Sequence, residues 1–537
     1  MQDGLISVPG VDLASVISGE GSYTFSAWIK RGTGTGSGPD YIYAAHDGSD
    51  YFALYFRYNE IYSYFSPGNN YGQVNARKLR DTTSWFHLVH QVDATNTTQN
   101  IWINGEALTC DSDRNPGNSN YPMNESGVDM YVGKASWRDD NVDGYMAEVN
   151  HIDGSLIAPT EFGFTDPVTN IWMPKRYEGT YGTNGFYLDF SDNSSITNMC
   201  LDKSGNGNHF SPDNCNVEDS TLDTPSNTFA TLNPKSTSVN TLSNGNLYST
   251  GGGGSWRPVS SDMAMSSGRW YWEIYIDTVS SYQMHGIRPQ IRDDGDVNHD
   301  NDHYPGTRSD EWGYNTDARL HNSASATSSW GDTYTVGDII GVALDMDAGT
   351  LNFYKNGSAT GSQITGISAS HSPSGSRGDY LACFCVYGST GQAIVNFGQE
   401  GTFDGHKTAQ NNTDINGIGN FFYTPPTGFK ALCSANLRGD SSYIIEPQKH
   451  FDVITYTGSD TSSARTVTGL EFAPDLVWQK RRNGTNWHTW HDTVRGGGKT
   501  LYSNDTSAEA TNNQYGYVSA FTSVSYTHLT LPTKRIV

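Results

Sequence analysis

Long hydrophobic runs are missing from this 537-residue chain. No stretch of about 18 apolar residues occurs, so no membrane-spanning helix is expected. Positive charge is scarce too: 33 Lys and Arg stand against 57 Asp and Glu, a formal net charge of −24. Such a field repels phosphate backbones and anionic surfaces, which argues against a nucleic-acid partner and against membrane insertion. Residues 1–10 lack a basic start followed by an apolar run, so no secretory signal is read there. No window of 3.6-residue periodicity lasts longer than two turns, which removes helical architecture from consideration.

Cysteine is sparse, with six residues at 110, 200, 215, 383, 385 and 433. No CxxC pair occurs, so a zinc site is not indicated. Cys383 and Cys385 lie two apart in a strand-like run and share a face. Their Cα atoms then sit near the ~7 Å limit for a disulfide, and none is expected between them. Cys200 and Cys215 could close a loop or remain as thiols.

Aromatic residues and glycine are what the chain has in quantity: 32 Tyr, 21 Phe, 13 Trp and 58 Gly. Length alone suggests about three to four domains. Short alternating runs between Gly, Asn, Asp and Ser turns point to β-sandwiches. The clearest run is 341–357, GVALDMDAGTLNFYKNG. Its Asp347-Ala-Gly349 and Asn356-Gly357 pairs suit tight hairpins with positive φ, giving a meander of antiparallel strands.

That run also resembles the signature of SPRY domains. GRWYWEI at 268–274 is similar to that family's opening strand and VNFGQEGTF at 395–403 to its closing one. A second resemblance covers the start of the chain. YTFSAWIK (23–30), WFHLVHQVDATNTTQNIWINGEAL (85–108) and DGYMAEVNHIDG (143–154) resemble LamG, or concanavalin A-like, domains, and APTEF (158–162) resembles the short helix that follows them. The opening strand such domains usually have is poorly supplied by residues 1–20. The two resemblances imply an all-β fold of tandem antiparallel β-sandwiches, a concanavalin A-like jelly roll and then an SPRY-like sandwich, with a partial β-rich module behind them. The expected organisation is 1–165 for the first sandwich, 166–242 as connecting region and linker, 243–404 for the second sandwich and 405–523 for the third module. The combination resembles tail-fibre proteins of marine bacteriophages. Residues 524–537, VSYTHLTLPTKRIV, resemble a translated sequencing linker and are expected to stand outside the fold, a real disordered tail being the alternative.

Concanavalin-like sandwiches include glucanases whose two glutamates share one strand face in E-x-D-x-x-E, one attacking and one protonating. That motif is absent, as is G-x-S-x-G, and Glu148 has no second glutamate nearby in sequence. Glu273 in WYWEI reads as structural. The glycine run 251–254 is followed by neither Lys-Ser/Thr nor a helix, so it is no phosphate cradle. His488 and His491 lie in a loop or strand pattern that suits packing better than metal binding. No catalytic residue is assigned.

Two acidic loops have the oxygen-rich spacing that calcium uses. Asp294, Asp296, Asn298, Asp300 and Asp302 place a ligand at every second position, though without the Gly and Glu of an EF-hand. Asp111, Asp113 and Asn115 repeat half of that pattern. A solvated acidic loop is the alternative for both. Trp137, Tyr304 and Trp330 lie beside polar loops and are candidates for stacking on a ligand, whereas Trp28, Trp85, Trp270, Trp272 and Trp312 fall in strand patterns and are expected in cores. The functional expectation is non-enzymatic recognition: a tail-fibre module in a virion that binds a bacterial surface glycan or protein and contacts other tail proteins. A glycan-degrading tail protein and a bacterial surface adhesin are the alternatives. Tail fibres are usually homotrimers, and no heptad segment here would drive that assembly.

Overall fold

The computed structural model describes residues 5–6, 21–33, 38–46, 48–66, 70–74, 77–108, 128–138, 141–167, 169–213, 215–236, 240–253, 256–279, 282–290, 303–368, 379–437, 451–457, 464–470, 472–512, 517–522 and 525–529. It is almost entirely β, in several antiparallel sheets.

Two sheets make the first sandwich. One runs in the order Asp129–Val132, Asp40–His46, Tyr51–Arg57, Glu60–Phe65, Asn70–Val74. The other runs Phe186–Leu188, Gly144–Asp153, Tyr23–Arg31, Phe86–Asp93, Thr98–Ile103, Glu106–Leu108. Alternation decides what lies between them. Phe52, Leu54 and Phe56 from one sheet meet Phe25, Ala27, Ile29 and Leu88 from the other in one buried cluster. Asn104 (φ 52°) and Gly105 (φ 76°) form the expected hairpin turn. The connecting region is part of this sandwich: Phe186–Leu188 extends a sheet, and Phe186, Leu188, Cys200 and Phe210 join its core. Leu5–Ile6 pairs with Pro212–Asp213, so the first strand finds its partner in that same region.

The second sandwich also has two sheets. The larger follows the path Thr241–Ser243, Tyr248–Thr250, Gln392–Asn396, Arg269–Thr278, Ile339–Asp345, Thr350–Lys355, Ser358–Thr365. The smaller runs Trp256–Ser260, Tyr380–Tyr387, Tyr282–Pro289, Trp312–Asn315, Leu320–Asn322, Ser325–Thr327. Trp270, Trp272, Phe353 and Phe397 are buried between them. Gly349 (φ 66°), Asn356 (φ 49°) and Gly357 (φ 78°) make the two turns expected in 341–357.

Two boundaries read from the sequence move. Residues 405–437 belong to the second sandwich and not to a third module. Lys430–Ala431 runs parallel to Trp270–Tyr271, and the backbone N–H groups of Phe422 and Tyr423 donate to the Glu273 carboxylate at 2.8 and 2.7 Å. The compact unit that ends at Gly439 includes both sandwiches; residues 440–537, with 165–171, form the other. The polar stretch 220–242, expected as linker, is partly buried. Phe229 bridges to Cys433 and Leu232 to Ser261, and both side chains sit in apolar clusters. Its Thr and Asn residues act as hydrogen-bond anchors: Thr231 Oγ1 donates to Asp262, and Asn227 Oδ1 accepts from Ala435 N–H.

The same stretch joins the two sandwiches. Lys30, from the first, reaches Asp223 Oδ2 at 2.7 Å and the Phe229 carbonyl at 3.2 Å, and Trp85 Nε1 donates to Asp223 Oδ1 at 2.8 Å. Both charged side chains are fully enclosed.

Residues 440–537 build smaller sheets. One holds Ala464–Thr468, Ser525–Leu529 and Tyr517–Thr522; the other Leu476–Gln479, Thr489–Asp492, Lys499–Tyr502 and Ala510–Thr511. Val467, Val477 and Val518 are their shared core. Ser525–Leu529 is the central strand of its sheet, paired on both sides. The expectation that 524–537 stands outside the fold therefore meets a strand with two neighbours.

Candidate functional site

The six-stranded sheet of the first sandwich is covered on its outer side. Val89, Ile152 and Tyr187 lie beneath Phe162, Tyr177 and Tyr181. The five-stranded sheet carries a different surface. Along 51–65 the strands alternate Tyr51, Ala53, Tyr55 and then Tyr62, Tyr64 on the outer side with Phe52, Leu54, Phe56, Ile61 and Phe65 in the core. The register places Ala44 opposite both Ala53 and Tyr131, and Ala53 opposite Tyr64. Ala44 and Ala53 are buried there with Ala135, Tyr41 and Tyr131, and the half-buried rings of Tyr55 and Trp137 pack against them.

Trp137 is held over one end of this face. Its ring lies 4.6 Å from Tyr51, 5.1 Å from His46 and 5.8 Å from Tyr41. Tyr51 stacks on Tyr64 at 5.0 Å, and Tyr55 stacks on Tyr62 at 5.3 Å with planes 7° apart. Polar groups line the same end: Ser66 Oγ donates to Asp50, and Ser136 Oγ lies 3.3 Å from His46 Nδ1. Farther along, Tyr62 donates to Glu60, which also pairs with Lys78. Burial, then the Glu60 carboxylate, pushes the Tyr62 phenol up to about 12. It stays a donor across the ordinary pH range. Half-buried flat rings beside hydroxyl, imidazole and carboxylate groups can take a ligand with apolar faces and hydroxyl edges.

The other two aromatic candidates lie in the second sandwich. Tyr304 packs at 5.3 Å from Trp256 and 5.2 Å from His321, and Trp256 also meets Tyr282 and Tyr387. Trp330 is half-buried against Tyr314 and Phe353 at the rim of the core. The structure brings neither to Trp137. The loop with Asp294, Asp296, Asn298, Asp300 and Asp302 lies outside the described residues, as do Asp111, Asp113 and Asn115. Among the described residues no group of three or more His, Cys, Asp or Glu is arranged to hold a metal.

The carboxylates weighed for catalysis have structural partners. Glu148 sits at a bulge with φ 51° and accepts from the Tyr187 hydroxyl at 2.6 Å, its carboxyl raised by burial. Glu273 is fully buried beneath Phe422 and Tyr423. His491 is buried with Nδ1 3.0 Å from the Lys499 carbonyl, and His488 packs beside Trp478. The aromatic residues beyond Trp137 were missed in the sequence. Their signal was present: in 51–65 tyrosine falls on one face of each strand while Phe, Leu and Ile fill the other.

Comparison with known proteins meets both sandwiches. A model of the concanavalin A-like lectin/glucanases superfamily matches residues 5–159, and an SPRY domain model matches residues 269–400. The first sandwich is thus similar to concanavalin A-like domains and the second to SPRY domains. A domain of unknown function (DUF7483) matches residues 446–534. Among solved structures, the SPRY domain of human HERC1 is similar at 22% identity and a TM-score of 0.24, covering 30% of this chain and 96% of that one. The PSpry domain of TRIM65 is similar at 14% identity and a TM-score of 0.23, covering 31% and 91%. No curated protein matches. The concanavalin A-like and SPRY-like modules fit a role in binding and recognition.

Proposed function

We propose that this chain recognises a bacterial surface glycan through the tyrosine face of its concanavalin A-like sandwich, as the host-binding part of a bacteriophage tail fibre. The observation that carries the reading is the placement of Trp137 with Tyr51, Tyr64 and His46 on the sheet face opposite the one that Phe162, Tyr177 and Tyr181 cover. Sugar rings present C–H faces to stack on such rings and hydroxyls to bond with Asp50 and His46. A shallow face keeps much of its water, so each site binds weakly. Several copies on one fibre then raise the apparent affinity by roughly 10²–10⁴. The virion setting draws its support from the three-module resemblance, and a surface protein is the alternative target.

The test is a glycan array with the full chain, followed by a reducing-end assay on each hit. Trp137→Ala and Tyr51→Ala are expected to lose binding by roughly ten-fold each, as ring truncations at the centre of a site do. Unchanged binding in both variants would move the site elsewhere. Steady release of reducing ends from a bound glycan would replace recognition with hydrolysis.

A further inference from the structure

The third module carries a second aromatic surface of different electrostatic character. In its four-stranded sheet Val477 and His491 are directly opposed and buried. Trp478 and Trp490, one position along each strand, are therefore opposed on the other face, and Leu501 continues their row. Trp478 is 62% exposed and Trp490 38%. Their rings lie 6.4 Å apart at 76°, so the pair offers one flat side and one edge. Two indoles held open side by side on a structured sheet mark a contact surface and not a core.

The charge around them runs against the rest of the chain. Residues 475–499 contain five Lys and Arg against two Asp, in a protein of net charge −24. Some of these cations have local work. Lys480 Nζ donates to the carbonyls of Gly484 and Asn486 and folds the hairpin loop back, Arg495 pairs with Asp492, and Lys499 pairs with Glu509 beyond this stretch. Arg482 and Arg481, whose Nε donates to Asn483 Oδ1 at 2.9 Å, are exposed on that loop, next to the strand that carries Trp478.

We propose that this face binds a strand of acidic polysaccharide. The indoles take the C–H faces of successive sugars, and the two guanidinium groups take their carboxylates in the bidentate fashion that suits arginine. A nucleic acid strand would use the same kinds of contact. Its bases stack best on parallel flat rings, however, whereas the two indoles here stand at 76° and offer one flat side and one edge. A second copy of this chain docking face to face would set arginine against arginine. The inference concerns a site separate from the tyrosine face, so either can fail alone.

The experiment uses the full chain with three immobilised probes: polygalacturonate, neutral dextran and single-stranded poly(dT). Binding to polygalacturonate is expected, weakening as salt rises. Trp478→Ala with Trp490→Ala should weaken it by roughly ten-fold or more. Arg481→Ala with Arg482→Ala should weaken it and flatten its salt dependence. The proposal is overturned if polygalacturonate is not retained, if neither double variant weakens retention, or if poly(dT) is held more tightly. It is also overturned if the wild-type chain self-associates through this face, dissociating in the tryptophan double variant.

Discussion

Replacing Glu273 tests how the 405–437 segment is held on the SPRY-like sandwich. This fully buried carboxylate receives four donors: the N–H groups of Phe422 and Tyr423 at 2.8 and 2.7 Å, the Tyr271 hydroxyl at 3.2 Å and Asn396 Nδ2 at 3.4 Å. Glu273→Ala leaves two buried backbone donors without their acceptor, each at a cost of about 1–3 kcal/mol. The local opening free energy of 421–424 should then fall by about 3 kcal/mol, or roughly 100-fold in amide protection. Glu273→Gln keeps one accepting oxygen and should lose about half as much. Hydrogen exchange read by mass spectrometry on peptides spanning 419–426 measures both in the intact chain. A pH dependence accompanies this. Burial raises the Glu273 carboxyl to about 7 from its ordinary 4.5, its hydrogen-bond donors pulling the other way. Between those two values the folded state holds a proton that the unfolded state has released, so stability falls as pH rises through the window. The loss is complete above about pH 7 and amounts to at most about 3 kcal/mol. Glu273→Gln should abolish that slope. Protection within three-fold of wild type in Glu273→Ala, or an unchanged pH slope in Glu273→Gln, would refute this account of the latch.

Two further outcomes follow from buried or paired elements. Lys30→Met should destabilise the docking of the two sandwiches by about 3–5 kcal/mol, because Asp223 is left as an uncompensated buried charge. Adding Asp223→Leu should recover much of that loss, and denaturant unfolding with a tryptophan signal reads both. Deleting 524–537 removes the strand between Ala464–Thr468 and Tyr517–Thr522 and should lower the third module's melting temperature by roughly 5 °C or more; an unchanged value would return those residues to the status of a tail.

The hairpins were legible because their cause is local. Asp347-Ala-Gly349 and Asn356-Gly357 tolerate the positive φ that their turns need, whatever surrounds them. The buried positions of Trp270 and Trp272 followed from alternation alone. The 405–437 segment was not legible, because what holds it is Glu273, about 150 positions earlier, bonded to backbone groups that carry no sequence signature. The linker reading of 220–242 failed for a related reason. Thr, Asn and Ser satisfy buried backbone in the structure as readily as they solvate a loop, and composition does not separate the two uses. Ser525–Leu529 shows the same limit, since ladder hydrogen bonds form between backbones regardless of an abrupt change in composition. The tyrosine face was half legible: Trp137 stood out as a lone ring beside a polar loop, while its partners looked like ordinary strand residues until the register aligned them.

The contact between the sandwiches adds a last physical step. A buried ion pair contributes little net stability, since the attraction mostly offsets desolvation, but it strongly disfavours arrangements that leave either charge unpaired. Lys30, Asp223 and Trp85 therefore select one docking of the two modules, and the Tyr145 hydroxyl bonded to the Gly245 carbonyl at 2.8 Å lies within the same contact. A Cβ at Gly245 would fall 2.1 Å from the Tyr145 ring, so only glycine permits that approach. The Trp137 surface and the Trp256 cluster then belong to one compact unit, with less freedom to reorient than a flexible linker would leave them.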